Sequence, residues 1–220
     1  MNVTLLRVTP FGDDLAGEAA AICTRSGQPD RARDNAVRSG HESILEHIVF
    51  TFRVDGVSRV LLAQLTRHRL ASFDVESQRY TSLTDQPVII PPSIANNGEL
   101  QNDYLKLVQQ SRAFYEKAVK NGIPKEDARY AAPEGTCTRL LLTMNARELR
   151  HFFSLRCCNR AQWEIRQLAG RMLEICKEEC PAAFADAGPG CVRGRCPEVK
   201  PCGKPRTELV NREEGIGIRQ

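Results

Sequence analysis

Arg67-His68-Arg69 and Ser77-Gln78-Arg79-Tyr80 fall within one fourteen-residue stretch that carries three arginines, a histidine and two serines. Guanidinium groups keep their charge near neutral pH and repel one another, so this density destabilises the chain unless something negative sits against it. Their planar donor forks suit phosphates and carboxylates. A lone Arg-His-Arg would fit a solvated helix end, but the recurrence of serine and arginine further along favours an anion site. Gln64 and Arg67 are three apart on one helical face, and Ser77 and Arg79 are two apart on one face of an extended segment. A nucleoside monophosphate suits that arrangement, with arginine and serine on the phosphate and glutamine on the base edge.

A second basic group holds Asn145, Arg147, Arg150, His151, Arg156, Asn159 and Arg160, and helical spacing puts Arg147 and His151 on one face. Phe152, Phe153 and Leu155 interleave it, so part of this helix is expected to be buried and some of its arginines to face an enclosed anion. Arg129 and the group His41-Glu42-Ser43 complete the polar clusters.

Other chemistries find less support. Ser77 lacks a Gly-x-Ser-x-Gly elbow, and His68 has no evident acid partner, so a nucleophilic serine is not expected. Acids do not cluster within the basic segments, which argues against paired-carboxylate chemistry. No Gly-x-Gly-x-x-G or phosphate-loop lysine follows a strand. Nine cysteines in a chain of this length, odd in number, read as reduced thiols. The late ones, Cys176, Cys180, Cys191, Cys196 and Cys202, are spaced unlike the common zinc templates, and no metal is expected.

The elements that must position these residues follow from periodicity and punctuation. Residues 2–9 read as a strand, and Ala16 to Cys23 and Ala32 to Arg38 as helices, the second stopped by Gly40. Ser43 with Glu46 resembles a capping box. His47 to Val54 reads as a strand, and Val57, Val60, Leu61 and Gln64 mark a helix over 57–65 that delivers Arg67. Gln86 to Pro92 is proline-rich and reads as an exposed connection. Leu100 to Asn121 fits a long amphipathic helix closed by Gly122, and Pro124 and Glu126 open a shorter helix containing Arg129. Thr136 to Met144 reads as a strand, and Asn145 to Leu155 and Ala161 to Cys176 as helices. Glycine, proline and charge dominate after Pro181, and the tail from Arg206 to Gln220 reads as mobile or partner-dependent.

With 220 residues, 41% of them hydrophobic, one globular domain is expected over 1–203, followed by a charged tail at 204–220. Net charge is only +4, so no global field points to nucleic acid. The N-terminus has no signal-peptide pattern and no apolar stretch approaches a membrane span, which makes the cytoplasm the expected location.

Taken together, the chain resembles the flavin-dependent thymidylate synthases. The family signature, Arg-His-Arg, seven residues of any type, then Ser, is reproduced by Arg67-His68-Arg69 and Ser77, and Gln78-Arg79-Tyr80 extends it. Gly40-His41-Glu42-Ser43, Glu46 to Phe52, Asn145-Ala146-Arg147, Leu155-Arg156 and Ala161-Gln162-Trp163-Glu164-Ile165 add to the match. The resemblance implies reductive methylation of deoxyuridine monophosphate to thymidylate, with 5,10-methylenetetrahydrofolate as carbon donor and FAD, reduced by NADPH, as hydride source. No protein nucleophile is then required. It implies an α+β fold, a central and largely antiparallel sheet flanked by helices, in a homotetramer with shared active sites.

Position by position, the resemblance implies flavin contacts at Ser43, Arg67, His68, Arg69, Val75, Asn145, Ala146, Arg147 and His151. It implies nucleotide contacts at Gln64, Leu65, Thr66, Arg67, Val75, Glu76, Ser77, Gln78, Arg79, Arg129 and Arg156. Arg156 matches the arginine thought to favour ionisation of the uracil ring, and a fixed cation there would stabilise developing negative charge. His41 resembles a residue near the flavin and folate. The rival from another class is a nucleic-acid-binding module that uses the arginines for phosphates and the late cysteines for zinc. It predicts affinity for polymers that falls steeply with salt.

Overall fold

A computed structural model describes residues 1–194 and 196–205, and the backbone of 218–219. The chain runs β1 (Asn2–Val8), α1 (Gly12–Thr24), α2 (Pro29–Arg38), a 3-10 helix (Glu42–His47), β2 (Val49–Ser58), α3 (Arg59–Leu65) and β3 (Ala71–Val75). It continues through β4 (Val88–Ile89), α4 (Pro92–Ala95), α5 (Gly98–Lys120), α6 (Lys125–Ala128), a 3-10 turn (Arg129–Ala131) and β5 (Cys137–Asn145). Then come α7 (Ala146–Arg156), α8 (Trp163–Glu179), a 3-10 turn (Gly190–Arg193) and β6 (Ile218–Arg219).

The central sheet has the order β1-β2-β5-β3 with every pairing antiparallel. Strand periodicity divides its residues between two faces. Phe50, Phe52 and Val54 of β2 and Leu140, Leu142 and Met144 of β5 are buried on one face, and Thr51, Arg53, Leu141 and Thr143 occupy the other. The buried face packs on α1, α3, α7 and α8, of which α8 contributes Ile165, Leu168, Ala169, Met172, Leu173 and Cys176 at helical spacing. Each such fully buried large side chain is worth roughly 1.5–3 kcal/mol. Gly12 is required where α1 meets this core, since a Cβ there would lie 2.8 Å from Cys180 Sγ and 2.9 Å from Ile48 Cγ2.

Several expectations need correction. No capping box forms at Ser43: the segment is a 3-10 helix preceded by His41, without a side-chain cap, and Glu46 turns instead to Arg147. His47 and Ile48 therefore precede β2. The helix expected from Val57 starts at Arg59, because Ser58 ends the strand and its Oγ accepts the Leu61 N–H at 3.0 Å. Its buried residues are Leu61, Leu62 and Leu65, whereas Val60 is exposed. The proline-rich connection is not exposed: Val88, Ile89 and Ile90 are buried, Ile89 N–H donates to Gly135 O at 2.8 Å, and β4 pairs with β6. Arg129 lies just past α6, opening the 3-10 turn. Apart from the backbone of 218–219, the tail expected from Arg206 falls outside the described residues.

Candidate active site

The chain leaves α3 at Leu65 and turns into β3 at Ala71, so Arg67, His68 and Arg69 sit on a tight corner braced by His68 N–H donating to Leu65 O at 3.1 Å. Alternation splits them: Arg67 and Arg69 are exposed, and His68 is buried with 4% of its surface accessible. Opposite lies α7, which starts where Asn145 Oδ1 accepts the Glu148 N–H at 2.9 Å. Glu148, Phe152 and Arg156 are four residues apart on that helix and share one face. That face meets His68.

His68 Nδ1 is 3.0 Å from Glu148 Oε1, and Arg156 Nε–H donates to His68 Nε2 at 3.1 Å. Arginine keeps its Nε–H, so Nε2 must carry the lone pair and the proton sits on Nδ1, donated to Glu148. Phe152 packs edge-on to the ring at 4.9 Å between centroids, and His151 lies at 5.9 Å. Burial pushes His68 below the ordinary imidazole value, helped by the Arg156 guanidinium and His151 and opposed by Glu148. Arg156 also reaches Gln64 O at 3.4 Å, and burial, with Arg67 nearby, lowers its pKa from the usual arginine value. Two cations held this close call for an anion.

A second group surrounds Ser77. The expected extended segment is a turn: Ser77 O accepts the N–H groups of Tyr80 and Thr81 at 3.1 and 3.0 Å, and Ser77 Oγ accepts the Arg79 N–H at 3.3 Å. Gln78 is buried, and its Nε2 lacks a partner among the described residues. Arg79 Nε pairs with Glu126 Oε2 at 2.6 Å, and Arg129 Nε–H donates to Glu126 O at 3.1 Å, so Glu126 gathers both arginines. Val75, Glu76 and Ser77 line an open cavity of about 690 Å3 with Asp74, Tyr80 and Arg139, and Glu76 is bound to Arg139 at 3.0 Å. The third group contains Ser43, exposed beside Glu46, whose carboxylate holds the exposed Arg147 next to the Asn145 cap and the buried Ala146. His41 and Ser43 edge a cavity of about 570 Å3 between α1 and α2.

Among the expected site residues, Gln64, Arg67, His68, His151 and Arg156 thus come together, as do Ser77, Gln78, Arg79 and Arg129. Leu65 is in the core, and Thr66 Oγ1 donates back to Leu62 O at 3.0 Å. Arg150 is the buried arginine of this helix, and the anions it meets are partly exposed and supplied by the protein itself: Nε–H donates to Glu42 at 2.8 Å and Nη1–H to Asp186 at 2.7 Å. The expectation that His68 has no acid partner is overturned: Glu148 holds its Nδ1. Glu148 escaped notice although its place three residues after a capping asparagine points it inward at the start of α7. Glu126 escaped as a site residue because its role depends on a contact between distant segments.

Cys158, Cys191, Cys196 and Cys202 line a cavity of about 240 Å3 beyond the end of α7, and among the described residues no three metal-ligating side chains are arranged to hold an ion. Among the described residues, no helix is long and apolar enough to cross a membrane.

The family described as thymidylate synthase complementing protein matches residues 4–182. The chain belongs to the flavin-dependent thymidylate synthase family. It is 41% identical over 219 residues to the flavin-dependent thymidylate synthase of Geobacter sulfurreducens, covering 93% of this chain and 94% of that one. The Clostridium tetani enzyme of the same name is 39% identical with the same coverage. That of Pyrococcus abyssi is 46% identical across 72% of this chain and 69% of its own. For a family member, the Arg67-His68-Arg69 corner and the Ser77-Gln78-Arg79 turn are the two ends of the signature, joined by β3.

Proposed function

We propose that the chain converts deoxyuridine monophosphate to thymidylate, with 5,10-methylenetetrahydrofolate as carbon donor and NADPH as reductant of bound FAD. The observation that carries this reading is the paired cation site of Arg67 and Arg156 on the His68 corner, joined through β3 to the signature turn, where the buried Gln78 Nε2 has no partner among the described residues. A buried amide without a partner is unfavourable by about 1–3 kcal/mol until a ligand engages it.

Ser77, Arg79 and Arg129 hold the phosphate, with Gln64, Thr66, Val75, Glu76 and Gln78 framing the sugar and base, and Arg156 faces the uracil ring; Leu65, fully buried, supports this rim from the core and does not touch the nucleotide. There its charge stabilises the electron-rich ring as methylation proceeds. The donor set fits a dinucleotide anion: Arg67, Arg69 and Arg147 expose guanidiniums, with Ser43, Asn145 and His151 adding polar atoms and Val75 an apolar wall, while Ala146, fully buried, packs into the core and does not touch the ligand. His68 lies beneath them, both ring nitrogens engaged by the protein. Bound FAD supplies hydride, and the chain contributes binding, orientation and exclusion of water. Three buried thiols suit this division of labour: burial raises Cys137 to about 11 and Cys180 to about 12, and Cys176 is raised well above the ordinary thiol range. Such thiols are poor nucleophiles.

Assembly as a homotetramer in the cytoplasm completes the reading. Leu100, Leu107 and Phe114 recur every seven residues on α5 and are 53%, 56% and 58% exposed, an apolar seam that a second copy would cover. The test is spectroscopic: FAD added to the purified chain is retained through gel filtration with flavin absorbance, and NADPH bleaches it. A colourless chain that retains no FAD refutes the proposal.

A further inference from the structure

We propose that Glu148 and His68 are positioning residues for Arg156, a carboxylate-imidazole-guanidinium chain that sets the plane of the Arg156 side chain and, with Nη2 reaching Gln64 O at 3.4 Å, holds Nη1 toward the substrate. The inference rests on the reading that Arg156 touches the nucleotide. Its support is geometric. Glu148 is 6% and His68 4% exposed, so neither is free to serve solvent. The two bonds, 3.0 Å at Nδ1 and 3.1 Å at Nε2, use opposite nitrogens of one ring. The His68 ring is further fixed by the edge contact with Phe152, and Phe152 lies four residues from both Glu148 and Arg156 on α7.

Glutamate at Nδ1 selects the tautomer with a lone pair at Nε2, and only that tautomer accepts from Arg156. Protonation of His68 would remove the acceptor and set an imidazolium N–H against a guanidinium N–H. The charged and titratable groups that face His68 are Glu148, His151 and Arg156 from α7, with Arg67 beyond Arg156 from the α3–β3 corner. Three of these four are basic or cationic, and burial acts in the same direction, so the ring stays neutral and Arg156 stays in place at neutral pH. Positioning of this kind acts on the reacting geometry more than on binding, and a displacement near 1 Å is worth about 100-fold in rate.

The experiment compares kcat, the KM for deoxyuridine monophosphate and the pH profile of kcat for the FAD-loaded wild type, His68→Leu, His68→Gln, Glu148→Gln and Arg156→Ala. His68→Leu, which has no acceptor, should lose about 10- to 100-fold in kcat with a smaller change in KM. His68→Gln offers Arg156 an amide oxygen that does not titrate, and should recover part of that loss while the acid limb assigned to His68 disappears. Glu148→Gln removes the charge that favours the imidazolium, so its acid limb should move to lower pH. FAD affinity and the flavin spectrum should stay as in the wild type throughout. Should His68→Leu fail to fold, as a thermal melt would reveal, the two glutamine variants carry the test. Wild-type pH profiles in both glutamine variants overturn the inference, as does a loss of FAD that parallels the loss of kcat, which would make His68 a flavin ligand. Wild-type turnover in Arg156→Ala removes instead the reading on which the inference rests.

Discussion

Replacing Arg150 with methionine isolates the contribution of one buried cation. Arg150 is 2% exposed and joins three parts of the fold: it donates from Nε to Glu42 on the 3-10 helix at 2.8 Å, and from Nη1 to Ala183 O and to Asp186 after α8, both at 2.7 Å. Methionine keeps much of the volume and removes every donor. Removing one partner of a buried ion pair is destabilising by about 3–5 kcal/mol, mainly because the remaining charge is stranded. Here the Glu42 and Asp186 side chains keep 22% and 39% exposure, so water relieves part of that strain and the low end, about 3 kcal/mol, is expected. For a chain of this size that corresponds to a Tm lower by roughly 6–12 °C. Urea unfolding followed by circular dichroism at fixed protein concentration measures it, with an unchanged m-value as the check that only stability moved. Burial alone would raise the Asp186 carboxyl, but the hydrogen bond and charge of Arg150 outweigh it and hold the group below its ordinary value. That stability is present above the ordinary carboxylate value and lost as pH falls through the lowered folded value, and the variant should lack this acid dependence. A loss under about 1 kcal/mol, or strict additivity with Asp186→Asn, would refute the reasoning.

Ser58→Ala should lower stability by about 1 kcal/mol or more, since the hydroxyl caps α3 and also donates to the buried Glu164; an unchanged urea midpoint would contradict this. Stability should also fall as pH drops below about 6.5, the ordinary histidine value, toward the lower folded value of His68, because the unfolded chain then binds a proton that the folded chain refuses; His68→Gln should remove that component. Arg156→Ala should reduce thymidylate formation by about 100- to 1,000-fold with the far-ultraviolet spectrum unchanged, and wild-type turnover would remove its assigned role.

Strand and helix types were legible wherever the residue pattern repeats. β1, β5, α7 and α8 follow from alternation or helical spacing, and the helix starts shift by a residue or two because the caps Asn145 and Gln162 decide them. The proline-rich stretch misleads because its composition describes a loop while Val88 to Ile90 are buried by partners remote in sequence. In the candidate site, the cations could be read from the sequence but their counter-ions could not. Glu148, Glu126, Glu46 and Glu42 come from other elements, and only folding brings them to His68, Arg79, Arg147 and Arg150. The Ser77 turn was hidden for a related reason: its hydrogen bonds run from Ser77 to Tyr80 and Thr81, and alternation over three residues does not distinguish them from a strand.

The most direct measurement combines the purified chain with FAD, NADPH, 5,10-methylenetetrahydrofolate and deoxyuridine monophosphate and follows thymidylate by chromatography alongside NADPH oxidation. The account predicts one thymidylate per NADPH consumed, with no product when FAD, folate or nucleotide is omitted. An FAD-loaded chain that oxidises NADPH but forms no thymidylate with all substrates present would contradict it.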